Sequence, residues 1–140
     1  MSGAIPLKVK TSPKGVTIGG GVKAIGYEIQ TLLERLLSDG ESGAIDLRGL
    51  PMAPNEYEQL LAMLGVGELD LEIDLNGPSR IRETAYPGVW WIQHKDREDR
   101  VLSEYLEINR IPDFLCAQTD QIEDAVRELS DRLKGAAEYD

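Results

Sequence analysis

The sequence predicts an α+β fold: an antiparallel meander of about four strands plus one short strand, with about three helices packed on one face. Two observations carry this. Apolar residues recur at helical spacing in three places, near residues 22–38, 55–64 and 119–133. Between the second and third of these, four strand-like runs follow one another with only turn signals between them. Helices segregated from an antiparallel meander make the α+β class.

The elements follow in chain order. Residues 1–20 hold Pro6, Pro13, Gly15 and the run Gly19-Gly20-Gly21 without a helical period, and read as a flexible arm. A single domain is expected over 21–137. Its first helix runs from about Val22 to Ser38, with Ile25, Ile29, Leu32, Leu33, Leu36 and Leu37 on a broad apolar face and Asp39-Gly40 as the stop. Ala44 to Leu47 reads as a short strand. Pro54 suits the first turn of a second helix reaching Leu64, because its missing N–H costs nothing there, and Gly65 caps the end.

Next comes the clearest strand. Leu69, Leu71, Ile73 and Leu75 alternate with Asp70, Glu72 and Asp74, so period two places the apolar residues on one face, expected to be buried, and the acids on an open one. Asn76-Gly77-Pro78 turns the chain into a strand near Arg80–Ala85. Tyr86-Pro87-Gly88 turns it again into Val89–Gln93, with Gly88 expected at positive φ. Residues 95–100 lead to a fourth strand, Val101 to Ile108, and Pro112 closes the meander. The last helix should start near Thr119 or Asp120, with Asp120 and Glu123 at capping-box spacing and Ile122, Val126, Leu129 and Leu133 as its core stripe.

Composition removes several function classes. Twenty-five acids against fifteen Lys and Arg give a net charge of −10, a poor basis for neutralising nucleic-acid phosphates or anionic membrane surfaces. One cysteine, Cys116, and one histidine, His94, cannot form the usual zinc or iron–sulfur site. A carboxylate site for a hard cation stays open in principle, but no Asp-x-Asp-x-Asp-Gly loop supports it. No metal and no cofactor are therefore expected. The N-terminus lacks the apolar run of a secretory signal and no stretch reaches transmembrane length, so a cytoplasmic protein without membrane insertion is expected.

Three stretches then carry a resemblance. They are Ile45-Asp46-Leu47-Arg48-Gly49-Leu50-Pro51; Arg82-Glu83-Thr84-Ala85-Tyr86-Pro87-Gly88-Val89-Trp90-Trp91; and Glu104-Tyr105-Leu106-Glu107-Ile108 with Arg110-Ile111-Pro112. In this order and spacing the chain resembles the HupH/HyaF family of hydrogenase expression proteins, from about Ile25 to Leu133. The middle stretch is the most specific. The resemblance implies a non-enzymatic accessory role in making nickel–iron hydrogenase. The implied action is that of a chaperone or scaffold for the small-subunit precursor, for another accessory protein, or for both. It also implies that longer members carry two copies of this domain, so pairing of two chains is a second expectation.

The residues offer their own candidates. Trp90 and Trp91 are adjacent on a strand, so one should join the core and the other stand on the open face, where a large aromatic anchors partners well. Tyr86, at the preceding turn, joins them as a partner-binding candidate. The acidic strand face Asp70, Glu72 and Asp74 is either a docking surface for a basic segment or simply solvated. Glu83 shares strand parity with Ile81, and Glu104 with Leu106 and Ile108, so both could face inward. Together they make either an acid/base pair, the basis of an alternative reading as a small enzyme, or structural partners of Arg48, Arg82 or Arg110. Asp46 and Arg48 flank Leu47 and suit a local network fixing a strand end. His94 reads as a lone exposed histidine, and Cys116 as buried and inert. No catalytic residue is assigned.

Overall fold

A computed structural model describes residues 18–136. The arm expected over 1–20 falls almost wholly outside the described residues. The chain divides into two compact units, one ending at Arg110 and the other starting at Ile111.

The first unit runs α1 (Gly20–Asp39), β1 (Gly43–Asp46), α2 (Pro54–Leu64), β2 (Asp70–Asp74), β3 (Pro78–Glu83), β4 (Val89–Lys95) and β5 (Val101–Ile108). The strands form one antiparallel sheet in the order β1-β5-β4-β3-β2. The meander β2 to β5 is thus as expected, and the short strand β1 adds to its far edge beside β5. The fold class is α+β.

Local chemistry sets the helix ends. Gly40 takes a left-handed conformation and returns its N–H to the Leu36 carbonyl, which stops α1. Pro54 opens α2, and the Glu56 carboxylate reaches back to accept from the Ala53 N–H (3.1 Å). α1 and α2 cover one face of the sheet. Val22, Ile25, Ile29 and Leu36 from α1 and Leu60 and Leu64 from α2 pack against Ile45, Leu47, Val89, Trp91, Leu106 and Ile108. Leu37, expected on the same helix face, is exposed.

Register decides the faces. Residues directly opposite one another in an antiparallel pair point the same way, and Arg82, Trp91, Leu106 and Ile45 form one such row. Asp70 extends it. The acids of β2 therefore share the helix-covered face, at its outer margin, while Leu71 and Ile73 share the opposite face with Ile81 and Ser79. The expected assignment of β2 is reversed and its burial is lost: Leu69, Leu71 and Leu75 are exposed, β2 being the edge strand of the sheet among the described residues. Burial resumes one strand inward, where Ile81 and Ile92 are fully buried on that opposite face.

The second unit holds a short 3₁₀ turn (Asp113–Leu115) and α3 (Thr119–Ala136). Its cap lies two residues earlier than the expected Asp120/Glu123 pair: the Gln118 N–H donates to the Gln121 side chain (2.8 Å). The stripe Ile122, Val126, Leu129 and Leu133 is not a core stripe. These residues are 53–64% exposed and α3 buries none of its side chains. Cys116 is exposed as well, contrary to the expectation of a buried thiol.

Candidate functional site

The three sequence stretches of the resemblance are tied to one another along β5, the middle stretch at its C-terminal end and the first at its N-terminal half. In the middle stretch, Thr84 is the organiser. Its hydroxyl donates to the Val89 carbonyl (3.0 Å) and accepts from the Tyr86 N–H (3.2 Å), while the Thr84 N–H also donates to Val89 O. This closes the Tyr86-Pro87-Gly88 turn, with Gly88 at φ 93° in the region that suits glycine. The turn is tied to the third stretch, since Asn109 N–H donates to Gly88 O (3.0 Å) and Trp90 Nε1 donates to Asn109 O (3.0 Å). The first stretch is tied in through Leu47 N–H, which donates to Glu104 O, and through Arg48, whose guanidinium donates to the Val101 and Leu102 carbonyls at 2.6 and 3.1 Å. Asp46 accepts from Arg48 N–H (3.0 Å), the strand-end network expected for that pair.

The most concentrated polar cluster lies beneath α2. Glu104 is 7% exposed. One of its oxygens accepts from both Trp91 Nε1 (2.7 Å) and the Tyr57 hydroxyl (2.6 Å). The Tyr57 and Trp91 rings meet edge to face at 5.6 Å, and the Arg82 guanidinium sits 5.8 Å from the centre of the Trp91 ring. Burial, followed by the hydrogen bond to Glu104, pushes the Tyr57 hydroxyl well above its usual range. Burial also lowers Arg82, reinforced by the neighbouring charge of Arg80. The cluster therefore holds protonated donors on a buried carboxyl group. Its groups are already partnered, which suits fixing α2 to the sheet.

The proposed Glu83/Glu104 pair does not exist. Glu83 is opposite Trp90, and Trp90 is opposite Glu107, whereas Glu104 is opposite Gln93. The two rows point to opposite faces of the sheet. Glu83 instead accepts from Glu68 N–H at 3.4 Å. The ion pairs considered for Glu104 are replaced by the two neutral donors above. Arg110 is exposed, its N–H donating to Asn109 Oδ1 (2.8 Å).

Neither tryptophan stands free: Trp90 is 4% and Trp91 2% exposed. Both indoles spend their N–H internally, and strand parity alone misled because both are buried although they point to opposite faces of β4. Tyr86 is 43% exposed. It lines an apolar groove between α1 and α2 with Gly26, Ile29, Gln30, Leu33, Met63 and Leu64. Asp70, Glu72 and Asp74 are exposed. Asp70 holds Arg80 through two contacts of 3.1 and 2.8 Å, and Asp74 accepts from Gly77 N–H (3.0 Å). The Arg80 guanidinium is raised mainly by that Asp70 hydrogen bond.

Sequence reasoning missed a third feature. On the face opposite the helices, Ser79 Oγ lies 2.7 Å from His94 Nδ1, and His94 Nε2 lies 3.1 Å from the Tyr105 hydroxyl. His94 is half-buried, not the exposed histidine expected, and burial lowers its pKa. Ser79 is 1% exposed, so this hydroxyl is shut away from solvent. The pairing Ser79↔His94 in the β3–β4 register was the signal, invisible until that register was known. Among the described residues, no group of three or more His, Cys, Asp or Glu is placed to hold a metal ion, and no helix is long and apolar enough to cross a membrane.

The chain is similar to known proteins. The chain is 35% identical over 86 residues to hydrogenase expression/formation protein HoxQ of Azotobacter vinelandii, covering 61% of this chain and 30% of that protein. It is 29% identical over 120 residues to HupQ of Azotobacter chroococcum, covering 82% and 42%. The chain thus spans well under half the length of these relatives. A solved structure, the hydrogenase expression protein HupH from Thiobacillus denitrificans, superposes with a TM-score of 0.77 at 33% identity, covering 85% of this chain and 99% of that one. Residues 21–136 match the family described as HupH hydrogenase expression protein, C-terminal conserved region. With the three motif stretches bonded along β5 and nearly the whole described chain matched, the protein belongs to the HupH hydrogenase expression protein family.

Proposed function

We propose that this chain is a non-catalytic accessory protein of nickel–iron hydrogenase maturation, acting in the cytoplasm as a chaperone or scaffold for the small-subunit precursor. Its relatives' names, hydrogenase expression/formation proteins, support the pathway. The observation that carries the binding reading is strand β2. Among the described residues it is an edge strand whose outer backbone groups have no neighbour in the sheet, with Asp70, Glu72 and Asp74 exposed on one face and Leu69, Leu71 and Leu75 exposed on the other. Such an edge accepts an extended segment by strand addition, and its charge selects one that alternates basic and apolar residues. The basic head of an export signal on a precursor, followed by its apolar run, supplies both the charge and the apolar side chains. The polar groups best suited to catalysis point away from an enzyme reading: Glu104 and Ser79 are buried and hydrogen-bonded within the fold.

Deleting the gene for this chain tests the reading in cells. The expected result is loss of uptake-hydrogenase activity with the small subunit accumulating as precursor or being degraded. Restoration by the wild-type chain is expected, with weaker restoration by the variant Asp70→Asn/Glu72→Gln/Asp74→Asn. Full hydrogenase activity in the deletion strain would sink the proposal.

A further inference from the structure

Of the chain's three asparagines, Asn76 alone is followed by glycine. An asparagine side chain reaches the next main-chain nitrogen most easily when that residue has no Cβ. The β2–β3 turn favours this pair. It holds Asn76 at φ 69° and Gly77 at φ 141°, angles that asparagine and glycine accept most readily. A Cβ on residue 77 would sit 2.3 Å from the Lys95 carbonyl oxygen and 2.7 Å from the carbonyl carbon of Asp96, so the turn is pressed onto the β4–β5 connection and has room only for glycine. Asn76 is exposed to water and Gly77 is buried. Gly77 is bonded through both its main-chain groups: its N–H donates to Asp74 Oδ1 (3.0 Å), and its carbonyl accepts from Leu75 N–H (2.9 Å).

We propose that Asn76–Gly77 is a deamidation site that the folded hairpin keeps latent, and that Asp74 is the residue that holds it so. In the reaction, hydroxide removes the Gly77 N–H proton, the nitrogen attacks Asn76 Cγ, and a succinimide ring closes. The Cγ–Nδ2 bond breaks, the leaving amide takes a proton from water, and ammonia departs with hydroxide regenerated. A second water opens the ring at either carbonyl and leaves aspartate or isoaspartate. Asp74 opposes the first step in two ways. The proton that hydroxide must take is the one donated to its carboxylate. Its negative charge also disfavours an amide anion beside it. The close packing of Gly77 on Lys95 and Asp96 opposes the second step, because the nitrogen has to turn away from Asp74 and toward the Asn76 side chain. Once the site reacts, the damage does not reverse by refolding. Aspartate adds a negative charge at the tip of β2. Isoaspartate also lengthens the main chain by a methylene in a turn that has no space for one, which loosens that end of the strand.

The test uses the full chain, aged at 37 °C and pH 8, with deamidation at residue 76 followed by peptide mapping and mass spectrometry. The folded wild type is compared with the same chain unfolded in guanidinium chloride, and with Asp74→Ala and Asp74→Asn. Fluorescence of the buried Trp90 and Trp91 reports that each variant is folded. A hydrogen bond to a charged acceptor that has to break before attack slows the reaction by about tenfold or more. The folded wild type is therefore expected to react at least about tenfold more slowly than the unfolded chain. Asp74→Ala, folded, is expected to recover most of that difference. Asp74→Asn keeps a neutral acceptor and is expected to fall between them; it carries the comparison if the alanine variant does not fold. Equal rates in the folded and unfolded wild type overturn the latency. Folded Asp74 variants that react no faster than wild type, or more slowly, overturn the role of Asp74.

Discussion

Replacing Glu104 by alanine should be among the most damaging single changes in this fold that leave the apolar core intact. The side chain accepts from two donors, Trp91 Nε1 at 2.7 Å and the Tyr57 hydroxyl at 2.6 Å. Without it, the indole N–H is stranded, since Trp91 is 2% exposed and has no route to water. An unsatisfied buried donor costs about 1–3 kcal/mol. The Tyr57 hydroxyl is half-buried, so its loss falls at the lower end. The sum is about 2–4 kcal/mol, a large part of the 5–15 kcal/mol typical of a whole domain. For a chain of this size that lowers Tm by about 8–16 °C. Urea unfolding followed by tryptophan fluorescence measures it directly. A double-mutant cycle sharpens the test. Tyr57→Phe alone should cost about 0.5–1.5 kcal/mol, but in the Glu104→Ala background it should be neutral or stabilising, because it then removes a hydroxyl with no acceptor. Glu104→Gln, which keeps an acceptor oxygen, should fall between wild type and alanine. A Glu104→Ala cost within about 0.5 kcal/mol, the range of ordinary surface substitutions, or strict additivity with Tyr57→Phe, refutes the reasoning.

Other sites give independent predictions. Burial lowers the His94 pKa below its ordinary 6.5, so the unfolded chain takes up that proton first. Stability linked to His94 is therefore complete above about pH 6.5 and is lost as pH falls through the folded pKa; His94→Gln should flatten the difference in urea midpoint between pH 7.5 and 5.5 relative to wild type. Thr84→Val removes the hydroxyl that closes the Tyr86–Gly88 turn and should cost about 1–3 kcal/mol, while Thr84→Ser stays close to wild type in the same unfolding assay. A Cβ on Gly67 would sit 2.3 Å from the Thr84 carbonyl oxygen, a backbone atom that cannot swing aside. Gly67→Ala should therefore lose at least about 1–3 kcal/mol, and a melting temperature equal to wild type would contradict the close approach.

Much of this fold is written locally. Helical spacing marked α1 and α2 within two residues of their observed ends, because Gly40, Pro54 and Gly65 act on their own neighbourhoods. The hairpin turns were legible for the same reason. What local pattern could not supply was the partner of each face. The alternation in β2 is perfect, yet its leucines are exposed, since alternation says which residues share a face and not whether the strand lies at an edge. The same gap explains Trp90 and Trp91, both buried, and the separation of Glu83 from Glu104, which needed the register of three strands. The stripe of α3 is also real as a pattern and wrong as a core. Tyr57 was missed as the partner of Glu104 because 47 residues separate them and nothing in α2's spacing marks a tyrosine as polar anchor.

On the proposed function this chain binds rather than catalyses, and its ligand is the unexported small subunit. Titration of the purified full chain with the small-subunit precursor, and with the same subunit lacking its signal segment, tests that most directly. Micromolar or tighter binding of the precursor is expected, about −8 kcal/mol or better, with a clear loss when the signal is removed. A clear loss is expected again when Asp70, Glu72 and Asp74 are neutralised. No binding of either form at concentrations well above micromolar would contradict it.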